Sequence, residues 1–519
     1  MNSWEATTYN NDLVREVFGN LCIDKTRLPS SGLSSIGVPS FVAEWLLDKI
    51  VPGSGTLTSI ELEKIDSFIK KAFPRKDDRN EIIFDLTQGE IRKLIALMQV
   101  RIKLEQGGKV IPEPLAQIPV LNLTECSIAT DIVERYKILL RQGIWGKITL
   151  AMLPDGKVEV MDFEPFQCSQ VDLQGYAECR EKFNTQQWRD LIFCSMGFNP
   201  QHPSYQQEAK TWILARLLPL VEANYHVIEL APKGTGKSFF FENISSKVTL
   251  ISGGKVTPAQ LFINGRTKEV GLLGRHEVVV LDEVQSLTFD NPEEMIGPLK
   301  NYLASGRYNR SGFADISSDC GLVMLATALP AIMQYSFSYC LSPNIAFSFE
   351  DVPHSCRKCC NIELDDQLEP RNEDNLIANL PKFFAETALL DRLSGIIPGW
   401  KIPKFQKEMI ASQVGLKMDF FGEVLLSLRQ DNRFRFYVEQ HTKFAKNVTI
   451  RDQNAILKSA SGFLKILYPH LELTLMDYER DCLEPACKLR QAIRNSLYYL
   501  DEEFRQFLVE KFMWRQSKY

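Results

Sequence analysis

Residues 226–238 read His-Val-Ile-Glu-Leu-Ala-Pro-Lys-Gly-Thr-Gly-Lys-Ser. An apolar run, His226 to Leu230, leads into Ala231-Pro232-Lys233-Gly234-Thr235-Gly236-Lys237-Ser238 and then into a helical pattern. Strand, glycine-bearing turn and helix start form the context a phosphate-binding loop requires. Gly234 and Gly236 let backbone N–H groups approach phosphate oxygens, with Lys233 and Thr235 completing the loop. The helix N-terminus adds a favourable dipole, Lys237 reaches the β- and γ-phosphates, and Ser238 ligates Mg²⁺. ATP with Mg²⁺ is the expected ligand. Ala231 stands at the first motif position, where glycine is usual, and that departure bears on the loop geometry.

Downstream, Val278-Val279-Val280-Leu281-Asp282-Glu283 is an apolar run ending in two carboxylates, the pattern of a buried strand whose end lies near phosphate. Asp282 is expected in the Mg²⁺ shell and Glu283 to polarise the attacking water. Working outward, His226 to Leu230, Val248 to Ile251, Glu277 to Leu281 and Gly321 to Ala326 alternate with helical segments, which predicts an α/β core with a parallel sheet over 186–400. Residues 1–107 read as a helical module, with Phe41, Trp45 and Leu46, and again Ile91, Leu94, Ile95 and Met98, at helical spacing. A small β-containing module follows over 108–185, with a hairpin turning at Pro154-Asp155-Gly156. Residues 401–519 read as a helical lid and C-terminal helices.

The 519 residues suit several domains, and 45% hydrophobic with 24% charged residues excludes a disordered or fibrous chain. A net charge of −5 means that any nucleic-acid contact must be focused on a local basic lining. No secretory signal is evident at the start, and Arg216, Glu222, Asn224, His226 and Glu229 break the most apolar long stretch, so no membrane span is expected. Twelve scattered cysteines suit reduced thiols and a cytoplasmic protein.

Beyond these motifs the chain resembles, over nearly its full length, the Lon-like AAA+ proteins of bacterial BREX phage-defence systems, the BrxL family. The resemblance runs through Gly37-Val38-Pro39-Ser40-Phe41-Val42, Gly143-Ile144-Trp145, Leu217-Leu218-Pro219-Leu220-Val221-Glu222-Ala223-Asn224-Tyr225 and the phosphate loop. It continues through Ser252-Gly253-Gly254-Lys255, Gly271-Leu272-Leu273-Gly274, the Asp-Glu strand, Tyr302-Leu303-Ala304-Ser305-Gly306, Leu390-Asp391-Arg392 and Pro398-Gly399-Trp400-Lys401-Ile402-Pro403. It implies an AAA+ P-loop ATPase with an MCM-like motor, assembled as a homo-oligomer, a hexamer or double ring. Such a protein engages DNA in antiviral defence alongside other defence proteins and without a membrane. Relatives continue into a Lon-type protease domain, for which the region up to Tyr519 has no room, so a short form without proteolysis is expected. A protein remodeller or scaffold, and less so a Lon-type protease, are the alternatives.

Further site residues follow from likeness to AAA+ motors. Ala388-Leu389-Leu390-Asp391-Arg392-Leu393 resembles the segment carrying an arginine finger, so Arg392 would act on a neighbouring subunit. Arg451 and Lys458, seven residues apart on one helix face, stand where a lid places its second sensor; a solvated basic face is the alternative. Thr327 is the candidate first sensor, although alignment to MCM-like motors puts Leu329 there, which cannot orient water. Arg307 and Arg310, in Gly306 to Phe313, occupy the position of a channel hairpin facing DNA, or else a polar surface hairpin. Cys356, Cys359 and Cys360, with His354 and Cys340, are either zinc ligands or reduced thiols in an insertion.

Overall fold

A computed structural model describes residues 9–103, 113–166, 171–265, 269–289, 292–309, 315–330, 360–362, 377, 380, 386–445, 448–500 and 504. The N-terminal helices Asn11–Phe18, Ser40–Ile50 and Ser59–Ala72 flank a short strand, β1 (Cys22–Asp24). Then come β2 (Arg92–Lys103), β3 (Glu113–Ile118), β4 (Leu123–Ile128), β5 (Ile144–Met152) and β6 (Val158–Pro165), which close a barrel in the order β2-β3-β4-β6-β5. Only the β4–β6 pair is parallel. It is a five-stranded Greek-key barrel of the OB type.

The barrel corrects the sequence expectation in two places. The stretch holding Leu94, Ile95 and Met98, which begins just after Ile91, is strand rather than helix, and a boundary at 107 would cut between β2 and β3. The physical reason lies in β2 being buried at Ile95 on its outer face as well as along its inner one. Leu94, Ala96, Met98 and Val100 fill the barrel interior, while Ile95 points the other way into the main core. That outward buried residue, superposed on the period of two, imitates helical spacing. The hairpin over Pro154-Asp155-Gly156 forms as expected, with β5 and β6 antiparallel and Gly156 at φ +83°.

The central sheet uses β7 (His226–Ala231), β8 (Val248–Ser252), β10 (Val278–Asp282), β14 (Gly321–Pro330) and β16 (Gly395–Pro398), ordered β16-β7-β14-β10-β8 and parallel throughout. β15 (Cys360–Ile362) pairs with the last residues of β14. Smaller pairs are β9 (Lys255–Val256) with β11 (Thr288–Phe289), and β12 (Arg307–Tyr308) with β13 (Ile316–Ser317). The strands read as continuous apolar runs because helices cover both faces. Val278, Val280, Val323 and Leu325 enter one core, whereas Val279, Leu281, Leu322 and Met324 enter the other.

The first of these cores runs from Val14 and Phe41 through Phe193 and Leu220 to Phe421, Leu464 and Leu489. The N-terminal helices, the sheet and the helices Met418–Arg429, Ile450–Leu467 and Glu484–Leu500 therefore share one interior. Strand β1 pairs antiparallel with β17 (Val414–Leu416), a direct stitch between the N-terminal region and the segment that precedes the helix Met418–Arg429. Among the described residues, no helix is long and apolar enough to cross a membrane.

Candidate functional site

The loop after β7 passes through Gly234 at φ +83° and Gly236 at φ +73°, left-handed conformations that favour glycine, and enters the helix Lys237–Asn243. Two contacts hold the loop from below and beside. Arg216, fully buried, pairs with Glu229 of β7 at 2.6 and 2.9 Å and donates at 3.4 Å to the Thr235 carbonyl. From the other side the Phe405 N–H donates to the Gly234 carbonyl at 2.7 Å. Lys237 is 7% exposed. Burial lowers its pKa, a shift opposed by the carboxylates of Glu229, Asp282 and Glu283. A bound polyphosphate would give this cation a partner in the dry loop.

Asp282 ends β10 and is buried, with its Oδ1 accepting the Glu283 N–H at 2.9 Å. Its charge also contributes, after burial, to raising the pKa of Glu242. Glu283 is exposed and sits at φ +49°, a conformation that costs a non-glycine residue about 1 kcal/mol or more. The Val284 N–H to Leu325 carbonyl bond and the Ser286 N–H to Glu283 carbonyl bond hold that turn. The Ser286 hydroxyl reaches the Glu283 carboxylate at 3.5 Å. Thr327, buried on β14, is in register with Ala231 at the start of the glycine loop, and its N–H donates to Gln285 Oε1 at 3.2 Å. Lys237, Asp282, Glu283 and Thr327 thus gather at the C-terminal ends of three adjacent parallel strands, the end where open α/β sheets bind ligands.

The Ser238 hydroxyl and the Asp282 carboxylate are hard oxygen donors, the chemistry Mg²⁺ prefers, so the residues present fit a nucleotide-borne Mg²⁺. Among the described residues, no group of three or more His, Cys, Asp or Glu side chains could hold a metal ion. Cys340, His354, Cys356 and Cys359 lie outside the described residues, and Cys360 is placed only as the first residue of β15.

The remaining basic candidates collect elsewhere. Arg392 lies just before β16, and the Ser394 N–H bonds the His226 carbonyl at 2.7 Å, which puts Arg392 beside the N-terminal end of β7. A strand of that length spans roughly 17 Å, so Arg392 is at the opposite end of the sheet from the glycine loop that follows β7 in its own chain. Burial lowers its pKa, helped by the nearby charge of Arg451. The two guanidiniums are neighbours, since Arg451 pairs with Asp391. Lys458 departs from its expected role. It donates to the carbonyls of Ala223 and Asn224 at 3.3 and 3.0 Å, on the segment entering β7, and so straps the same far edge.

Arg307 is exposed on the β12–β13 hairpin, whose neck is closed by the Asn309 side chain donating to Asp315 at 2.9 Å. Tyr308 is no platform for bases, being buried against Phe262 and Tyr302. Arg310 and the side chain of Leu329 lie outside the described residues. Sequence reasoning missed Arg216 and Glu229, whose only signal is a charge inside an otherwise apolar stretch, and Arg490, which shares its C-terminal helix with Lys488 and Arg494 and so carries no signal of its own.

Residues 158–351 and 355–510 match the family model described as "Lon-like protease BrxL-like, ATPase domain". Residues 16–152 match "BREX system Lon protease-like protein BrxL N-terminal". Among curated proteins, the chain is similar to the Lon-like protease BrxL of Escherichia coli O9:H4 (strain HS), 28% identical over 466 residues that cover 89% of this chain and 60% of that protein. It is also similar to the Lon-like protease BrxL of Bacillus cereus (strain H3081.97), 27% identical over 450 residues covering 85% and 60%. The chain therefore spans 60% of the length of each of these relatives.

Proposed function

The chain belongs to the BrxL family of Lon-like proteins, and from that premise we propose that it is an AAA+ ATPase of phage defence that assembles into a ring and uses ATP hydrolysis to act on DNA in the cytoplasm. The observation that carries this reading is the split placement of its polar and charged groups. Lys237, Ser238, Asp282, Glu283 and Thr327 stand at one end of the sheet, and Arg392 stands at the other.

In the proposed mechanism the loop amides and Lys237 bind the phosphates, and Ser238 and Asp282 would hold Mg²⁺, which when bound would neutralise phosphate charge. Glu283 orients and polarises the attacking water, its position set by the left-handed turn, with Thr327 helping to place that water. Arg392 reaches the γ-phosphate held by the next subunit, because it lies too far from the loop of its own chain. A basic lining built by Arg307 and Arg310 would contact the DNA backbone locally, which reconciles DNA engagement with a net charge of −5.

The test is ATP turnover by the purified chain with and without DNA. Wild type should hydrolyse ATP faster when DNA is present. Lys237→Ala should lose nucleotide affinity, whereas Glu283→Gln should keep it and turn over on the order of a hundredfold more slowly. Turnover indifferent to DNA would favour a remodeller or scaffold, and near-wild-type turnover by Glu283→Gln would remove that residue from the mechanism.

A further inference from the structure

The arginine at the far edge of the sheet stands on a clamped piece of backbone. Arg490, on the helix Glu484–Leu500, is fully buried, and its guanidinium is spent almost entirely on the turn that bears Arg392. Nη1 donates to the carbonyls of Asp391 at 3.1 Å and Leu393 at 2.7 Å, the residues on either side of Arg392. Nη2 donates to Asp391 Oδ1 at 2.7 Å. Nε donates to Asp452 Oδ1 at 2.7 Å, and Asp452 is itself anchored as the partner of the Thr449 cap of the helix Ile450–Leu467. The second oxygen of Asp391 pairs with Arg451, so the same carboxylate fixes both neighbouring guanidiniums.

The head of Arg392 is held far more loosely. Its Nη1 folds back onto the Ala388 carbonyl of its own helical turn, and its Nε is buried with no hydrogen-bond partner. A fixed base under a head with one local bond to break is the arrangement a finger needs to swing toward a phosphate without dragging its backbone.

We propose that Arg490 is the positioning residue of Arg392: by clamping the carbonyls on both sides of it, and by orienting Asp391 against Asp452, it sets where this chain presents its guanidinium to the nucleotide of a neighbouring subunit. This rests on the reading of Arg392 as a group acting across a subunit contact. It also gives the C-terminal helix a stated part in hydrolysis at a site it does not touch.

The experiment uses the full chain with Arg490→Lys, which keeps a cation but cannot span four acceptors. Assembly is checked by size, and turnover, nucleotide affinity and mixed assemblies are then measured. Affinity for ATP should stay within about twofold of wild type while turnover falls roughly tenfold or more, part of the 10³-fold or larger worth of an arginine finger. Adding Glu283→Gln subunits should restore part of the activity, because their intact Arg392 serves the intact Glu283 of the Arg490→Lys subunits. Adding Arg392→Ala subunits should restore none. If Arg490→Lys does not assemble, Asp452→Asn, which neutralises one arm of the clamp at constant shape, carries the same measurements and the same expected pattern.

Near-wild-type turnover by an assembled variant, a loss of ATP affinity matching the loss of turnover, or absence of rescue where Arg392→Ala is rescued would each overturn the inference. If Arg392→Ala is itself not rescued by Glu283→Gln subunits in demonstrated mixed assemblies, the failure belongs to the reading of Arg392, and the role of Arg490 falls with it.

Discussion

Single residues carry the charges that make this chain work and also those that tie its stability to pH. His226 opens β7 and is buried, its Nδ1 accepting the Leu322 N–H at 3.2 Å and its Nε2 without a partner. Burial first, and then the nearby Lys458 ammonium, push its pKa down to about 3. The imidazole is thus neutral in the fold but gains a proton near pH 6.5 in the unfolded chain, so the unfolded state binds more protons between about pH 6.5 and 3 and stability falls as pH falls through that window. We expect wild type to lose about 2 kcal/mol more unfolding free energy than His226→Gln between pH 6.5 and 5. Urea unfolding at the two pH values would show it, and parallel pH dependences for the two proteins would disprove it. At this scale the strand, glycine turn and helix start around Lys237, and the strand end at Asp282, were legible because their signals are local in sequence. Arg216, Glu229 and Arg490 were not, because a buried ion pair is defined by partners distant in sequence.

Elements show where periodicity informs and where it misleads. The five strands of the central sheet were legible from short apolar runs, except β16, whose Gly-Ile-Ile-Pro is too short to read as a strand without its neighbour β7. β2 was misread because Ile95, buried on its outer face, interrupts the alternation of the inner one. Its barrel has a tight point at Gly146 of β5, where a Cβ would lie 2.5 Å from the Phe163 ring and 2.7 Å from the Glu164 carbonyl oxygen. Gly146→Ala should therefore destabilise the barrel by about 1–3 kcal/mol. ATP affinity should be unchanged, because the barrel interior is a separate core from those around the phosphate loop. Thermal unfolding paired with nucleotide titration measures both. For the β12–β13 hairpin, replacing Arg307 and Arg310 together with alanine should weaken DNA binding and reduce the salt slope by up to about two units at unchanged basal ATPase. Undiminished binding would move the contact elsewhere, with the OB-type barrel the next surface to test.

At the scale of the whole molecule, the regions read as an N-terminal helical module, core and lid contribute to one shared interior, because β1 completes a pair with β17 and Val14, Phe41 and Phe421 belong to one cluster. Sequence patterning reports which face of an element is apolar but not which distant element covers it, so this joining was invisible before the structure. The placement of Arg392 at one edge of the sheet and the phosphate loop at the other has a consequence of counting. On the reading proposed above, each chain owns two unlike halves and no whole, so complete sites number as many as the contacts between chains: one per chain in a closed circle, one fewer in an open arc, none in a monomer. Turnover per chain is then a property of concentration. It should fall steeply on dilution through the assembly threshold while nucleotide affinity per chain stays level, and a flat specific activity across that threshold would mean that each chain owns a complete site.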